Sequence, residues 1–153
     1  MANKNLNIKN LKPKKYSYYK QGVLDPKRFK KYVNECIDDP IIYRSGLELQ
    51  FINYCENNAN ITKWASEPVV ISYVNPIDKK EHKYYPDFLI ENKQGVRCLV
   101  EVKPYDQTVK PKITDSVWLK EQWIKNVSKW TYAKEYSKKH NFKFIIVTEK
   151  FFE

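Results

Sequence analysis

The stretch HKYYPDFLIENKQGVRCLVEVKP, from His82 to Pro104, constrains the fold more than any other part of the chain. Two β-branched and aromatic runs flank ENKQG, whose residues suit a hairpin turn. Side chains alternate along the second run, so Leu99, Glu101 and Lys103 share one face while Val100 and Val102 share the other. Pro104 has no N–H to give and stops the ladder. An acid and a lysine therefore stand side by side where an apolar strand ends.

The neighbouring segments supply the other layers. Between Pro26 and Pro40 the residues Phe29, Tyr32, Val33, Cys36 and Ile37 fall at helical spacing, which predicts a first helix. A second helix is expected from Ser45, with Leu47, Phe51, Tyr54 and Cys55 on its apolar side. Val69 to Val74 reads as a strand, and HKYYPDFLIE as another extended run. From Thr114 to His140 a long helix is expected, with Val117, Trp118, Glu121, Ile124, Val127, Trp130 and Ala133 tracing its stripe. Phe142 to Val147 is a compact apolar run that fits a buried strand. The order predicts one α/β domain over residues 21–153, a mixed sheet of about four strands flanked by helices. Residues 1–20 carry Lys4, Lys9, Lys12, Lys14, Lys15 and Lys20 and read as a flexible basic arm.

Charge narrows the partners. The formal net charge is +10, and of the 28 basic residues only Arg28, Arg44 and Arg97 are arginine. A lysine-dominated excess suits sequence-tolerant attraction to phosphates better than bidentate reading of bases. No GxGxxG or GxxxxGK[ST] string occurs, so no nucleotide cofactor is expected. Cys36, Cys55 and Cys98 form no CxxC pair and no Cys/His cluster, which argues against a zinc site and a disulfide framework. Neither a signal-peptide core nor an apolar run of membrane-spanning length is present, so a reducing cytoplasm is the expected setting and no membrane partner is expected.

The sharpest constellation is Pro86-Asp87, then thirteen residues, then Glu101-Val102-Lys103. Asp87 opens one strand and Glu101 ends its hairpin neighbour, so the carboxylates can converge at one end of the sheet. Two hard oxygen ligands with room for water suit Mg²⁺. An ammonium beside them can orient a water and offset charge on an attacked phosphate. Acid-x-Lys triplets also occur on solvated strand faces, and Pro-Asp is a common turn. Upstream, Arg44-Ser45-Gly46-Leu47-Glu48 adds a third acid. Ser-x-x-Glu is also a capping box that starts helices, and Glu48 can serve both roles, one oxygen on the helix and the other toward a metal site.

YRSGLE, then HKYYPDFLI, then CLVEVKP resembles the motif order of the PD-(D/E)xK nuclease superfamily. It is most similar to the branch of transposon end-cleaving, junction-resolving and tailed-phage head-completion nucleases. The resemblance runs from about Tyr43 to Glu149 and includes KWTYAKEYSKKHNFKFIIVTE, the helix and last strand. It implies a restriction-endonuclease-like fold and metal-dependent DNA hydrolysis. Glu48, Asp87, Glu101 and Lys103 become the catalytic set, the three acids holding Mg²⁺, with Mn²⁺ able to substitute. The implied setting is phage assembly in the host cytoplasm, with portal or capsid proteins as further partners. Two alternatives stand beside it: a transposon-type or junction-resolving endonuclease, and a non-catalytic DNA-binding head-closure protein. The expected DNA contacts are Arg44 and Ser45 on the helix start, then His82, Lys83 and Tyr85, then Gln107 and Lys110 after the active strand. His82 also reads as an ordinary surface-strand histidine. Of the four tryptophans, only Trp123 is expected to be exposed.

Overall fold

A computed structural model describes residues 21–33 and 38–153. The basic arm, Cys36 and Ile37 lie outside the described residues.

The core is a mixed four-stranded sheet built from β3 (Ile61–Ser66), β6 (Phe88–Asn92), β7 (Arg97–Val102) and β8 (Lys143–Val147), in the order β3-β6-β7-β8. β6 pairs antiparallel with both β3 and β7, and β8 joins β7 in parallel. A parallel partner needs a crossover, which α2 (Val117–Lys139) supplies. The hairpin between β6 and β7 forms as its composition requires: Asn92 Oδ1 accepts from the N–H groups of Gln94 and Val96, and Gly95 takes a left-handed φ of 76°.

Two short ribbons flank the sheet, β1 (Gly22–Leu24) with β2 (Ile41–Tyr43) and β4 (Ile71–Asn75) with β5 (Lys80–Tyr84). The Val69–Val74 run is therefore a hairpin strand outside the main sheet, and β3 takes its place there. HKYYPDFLIE is not continuous either. Pro86 cannot extend the ladder, and the chain passes there from the β4–β5 ribbon into the main sheet.

The alternation in β7 places one core on each side. Val100 and Val102 join Phe51, Ile52 and Cys55 of α1 (Gly46–Asn57), together with Ile61, Trp64 and Phe88. Leu99 faces the other way and packs with Ala133 of α2 and with Ile71, Tyr73 and Tyr84 of the ribbon.

Two expected helical features differ. After Pro26 only one 3-10 turn forms, Pro26–Arg28, and Phe29 is extended. The Glu56 carboxylate captures the N–H groups of Lys30 and Lys31 at 2.9 and 3.2 Å, and Tyr32 bridges in parallel to Trp64. Backbone groups that a helix would pair internally go to α1 and β3 instead, while Phe29 and Tyr32 pack their rings against Trp64. The stripe of α2 also shifts. Burial begins at Asn126 and continues through Trp130, Ala133 and Ser137, whereas Val117 and Trp118 are 70% and 64% exposed. The first turns of α2 thus lack the cover that the second half gains on the sheet. Trp118, not the half-buried Trp123, is the exposed tryptophan. Among the described residues no helix is long and apolar enough to cross a membrane.

Candidate active site

Asp87 immediately precedes β6, and Phe88 pairs with Val100, so the register brings Asp87 opposite the end of β7. Its backbone carbonyl accepts from Glu67 N–H at 2.9 Å, and its Oδ2 accepts from Val102 N–H at 2.7 Å. The residue is thus held through both its backbone and its carboxylate. Glu101 projects from the opposite face to Val100 and Val102 and is 6% exposed. There it accepts a hydrogen bond from the Tyr84 hydroxyl. Lys103 follows β7, and its N–H donates to Val147 O at 2.9 Å, extending the parallel ladder one residue past the strand.

Glu48 arrives from the first turn of α1. Ser45 is the N-cap, its Oγ accepting from Glu48 N–H at 3.1 Å, while Glu48 Oε2 accepts from Arg44 N–H. The capping arrangement is real, yet Glu48 also hydrogen-bonds Asp87. Capping and membership of the acidic cluster coexist in one side chain.

The electrostatics identify Asp87 as the centre. Although part of its surface stays open, protein encloses it on most sides. Burial first, then the charges of Glu101 and Glu48 and the hydrogen bond to Glu48, hold its carboxyl well above the usual range, with the Val102 N–H acting in the opposite sense. Glu101 is raised by burial, against the pull of Lys103, the Tyr84 hydrogen bond, Lys129 and a hydrogen bond from Asp87. Hydrogen bonding between carboxyl groups needs a shared proton. Among the described residues no group of three or more acidic, histidine or cysteine side chains is arranged to hold a metal ion. By chemical type, the oxygen donors of Asp87 and Glu101 are those a hard divalent cation takes.

The expected DNA contacts are spread around this centre. Arg44 makes an ion pair with Glu67 at 3.2 Å, and Glu67 is itself bonded to the Asp87 backbone. His82 and Lys83 lie on β5, where His82 pairs with Asp78 at 2.6 Å. Tyr85 is 37% exposed, while Tyr84 turns inward to Glu101. Gln107 lies in a 3-10 turn, Tyr105–Thr108, and Lys110 is exposed just beyond it.

Lys129 belongs to no motif in the sequence, yet it lies beside this centre. It stands on α2 with its Nζ 5.5 Å from the centre of the Tyr84 ring. The available signal was a lysine one turn before buried Ala133, on a helix face that is otherwise covered.

Comparison with known proteins shows the family. The family model described as "TnsA-like endonuclease N terminal" matches residues 58–149. The head completion nuclease of Enterobacteria phage T4 is 31% identical over 133 residues, covering 81% of this chain and 87% of that protein. With a PD-(D/E)xK-type acidic centre and a match over most of its length, the chain belongs to the TnsA-like endonuclease family.

Proposed function

We propose that this endonuclease hydrolyses DNA phosphodiesters with the help of Mg²⁺, for which Mn²⁺ can substitute, and that it acts in phage head completion. The observation that carries the chemistry is the convergence of Glu48 from α1, Asp87 from just before β6 and Glu101 from β7, beside Lys103. Asp87 and Glu101 would hold the cation, with Glu48 completing the set directly or through water. When bound, the cation would supply Lewis acidity toward a phosphate oxygen. Lys103 offsets negative charge at the reacting phosphate and orients a water toward it. The basic surface supplies sequence-tolerant attraction for the rest of the duplex.

The biological setting is supported by the T4 relative's name and by its coverage of both chains. In that setting the protein works in the host cytoplasm, with portal or capsid proteins as candidate partners. The family-model match favours a second reading, a transposon-type or junction-resolving endonuclease with the same chemistry.

Supercoiled, linear and branched DNA incubated with Mg²⁺ or with EDTA tests both. Mg²⁺-dependent nicking that Asp87→Ala and Glu101→Ala each abolish is the expected result. A strong preference for branched DNA would favour the second reading. DNA binding without cleavage in either metal would instead indicate a structural head-closure protein.

A further inference from the structure

Lys103 is not the only ammonium at the carboxylates. The turn of α2 carrying Lys129 is locked to the ribbon, because Ser128 Oγ donates to Val74 O at 2.7 Å. From there Lys129 Nζ reaches over two aromatic faces, 5.7 Å from the Tyr73 ring centre and 5.5 Å from that of Tyr84. Tyr84 in turn donates to Glu101. Lys129 is within electrostatic reach of Glu101, Asp87 and Lys103. Burial and the nearby ammoniums of Lys125 and Lys103 push its amine below the ordinary lysine value, while Glu101 and Asp87 act in the opposite sense. Among the described residues no hydrogen bond or close ion pair takes up its ammonium protons, so its charge is held by ring faces and stays available.

We propose that Lys129 is a second catalytic lysine, contacting the scissile phosphate from the α2 side and offsetting the charge that builds on it during attack. This role rests on the carboxylate-and-cation reading of the site. Charge matching gives it a reason. Three ionised carboxylates, two ammoniums and one divalent cation leave a single positive charge, which matches the one extra negative charge that a phosphodiester gains on attack. Without Lys129 the loaded site would be neutral, leaving Lys103 and the cation to meet the extra charge of the transition state with no net positive charge beside them. Lysine suits the task, since its compact ammonium sits on a long stem and can leave a ring face to follow a phosphate.

The test compares wild type, Lys129→Met, Lys129→Arg and Lys103→Met on supercoiled plasmid, with Mn²⁺ binding to the DNA-free proteins measured by calorimetry. At saturating Mg²⁺, Lys129→Met should lower kcat at least ~10-fold with KM nearly unchanged, since the lost contact belongs to the transition state. Lys129→Arg should keep clearly more activity than Lys129→Met. Mn²⁺ should bind Lys129→Met as tightly as wild type or more tightly, because a repelling charge is gone. A structural prop would not tighten the metal site. If Lys129→Met is unfolded at the assay temperature, Lys129→Gln takes its place with the same expectations. The proposal is overturned by an unchanged kcat, by equal losses in the Arg and Met variants, or by a rate loss matched by weaker Mn²⁺ binding. Failure of wild type to cleave with Mg²⁺ would remove the underlying site reading, a different outcome from normal cleavage by Lys129→Met.

Discussion

Tyr84 donates its hydroxyl to the Glu101 carboxylate across the join between the β4–β5 ribbon and the four-stranded sheet. Both side chains are buried, at 4% and 6% exposure. Burial, then the charge of Glu101 and the hydrogen bond itself, raise the phenol's pKa, so the hydroxyl remains a donor throughout the working range. The bond is also one of the influences that keep Glu101 from rising further. Tyr84→Phe preserves the ring beneath Lys129 and removes only the donation. It should cost about 1 kcal/mol of stability, the usual scale for one hydrogen bond. Its larger effect should be on function, as a higher Mg²⁺ concentration for half-maximal cleavage. A Mg²⁺ titration identical to wild type would show that Tyr84 serves packing alone.

Asp87 predicts a conflict between stability and activity. Its folded pKa lies above the unfolded value, so the folded state holds the proton more tightly. The stability this contributes is fully present below about pH 4, the unfolded carboxylate value, and is lost as pH rises through the raised folded value. Glu101 acts in the same direction. In EDTA, therefore, Asp87→Asn should melt at a higher temperature than wild type at neutral pH, and the difference should close toward pH 4. Adding Mn²⁺ should stabilise wild type but not the variant. Thermal melts across pH, with and without Mn²⁺, check this. An Asn variant less stable than wild type at neutral pH would mean that the carboxylate is a structural acceptor for Val102 N–H.

What the sequence disclosed follows how local each signal is. The Ser45 cap, the β6–β7 hairpin and the alternation in β7 are set by neighbouring residues, and all appear where expected. Asp87 and Glu101 meet because a hairpin register is itself local. The failures depend on distant partners. Phe29 and Tyr32 have helical spacing, but Trp64 and Glu56, far along the chain, claim their segment. The alternating residues of Ile61–Ser66 are interrupted by a register shift between Ile61 and Lys63, which blurred the strand. Lys129 is not legible in the sequence, because a lysine in a Lys-rich helix looks solvated until the sheet beneath it is known.

Glu56 offers a test of that irregular N-terminal segment. Its carboxylate accepts from the N–H groups of Lys30 and Lys31 and, at 2.8 Å, from Trp64 Nε1. Glu56→Ala leaves these donors without their acceptor and should destabilise the fold by about 2–3 kcal/mol, the scale for unsatisfied donors and a charged acceptor. Well below the melting temperature, cleavage should stay near normal, because Glu56 lies at the far end of α1 from Glu48. Chemical denaturation measures the first quantity, and a loss under 0.5 kcal/mol, about the scatter of surface substitutions, would show that the segment is held by its rings instead.

Glu48 carries two duties that substitution can separate. As a cap it receives the Arg44 N–H on Oε2, and its own N–H reaches Ser45 Oγ. A glutamine oxygen can still accept from Arg44 N–H, so Glu48→Gln should leave the helix start nearly as stable as before. Toward Asp87 the same change removes a negative charge from the cluster that would hold the cation. Cleavage should then fall at least ~100-fold, the lower range for loss of one charge-stabilising group in an active site. Ser45→Ala is the matched control. It removes the side-chain cap and should cost about 1 kcal/mol of stability, with far less effect on rate. Denaturation curves for both variants, set beside cleavage rates over a range of Mg²⁺ concentrations, separate the duties. If Glu48→Gln cuts DNA at nearly the wild-type rate, Glu48 is a helix cap that happens to touch Asp87, and the working site reduces to Asp87, Glu101 and lysine.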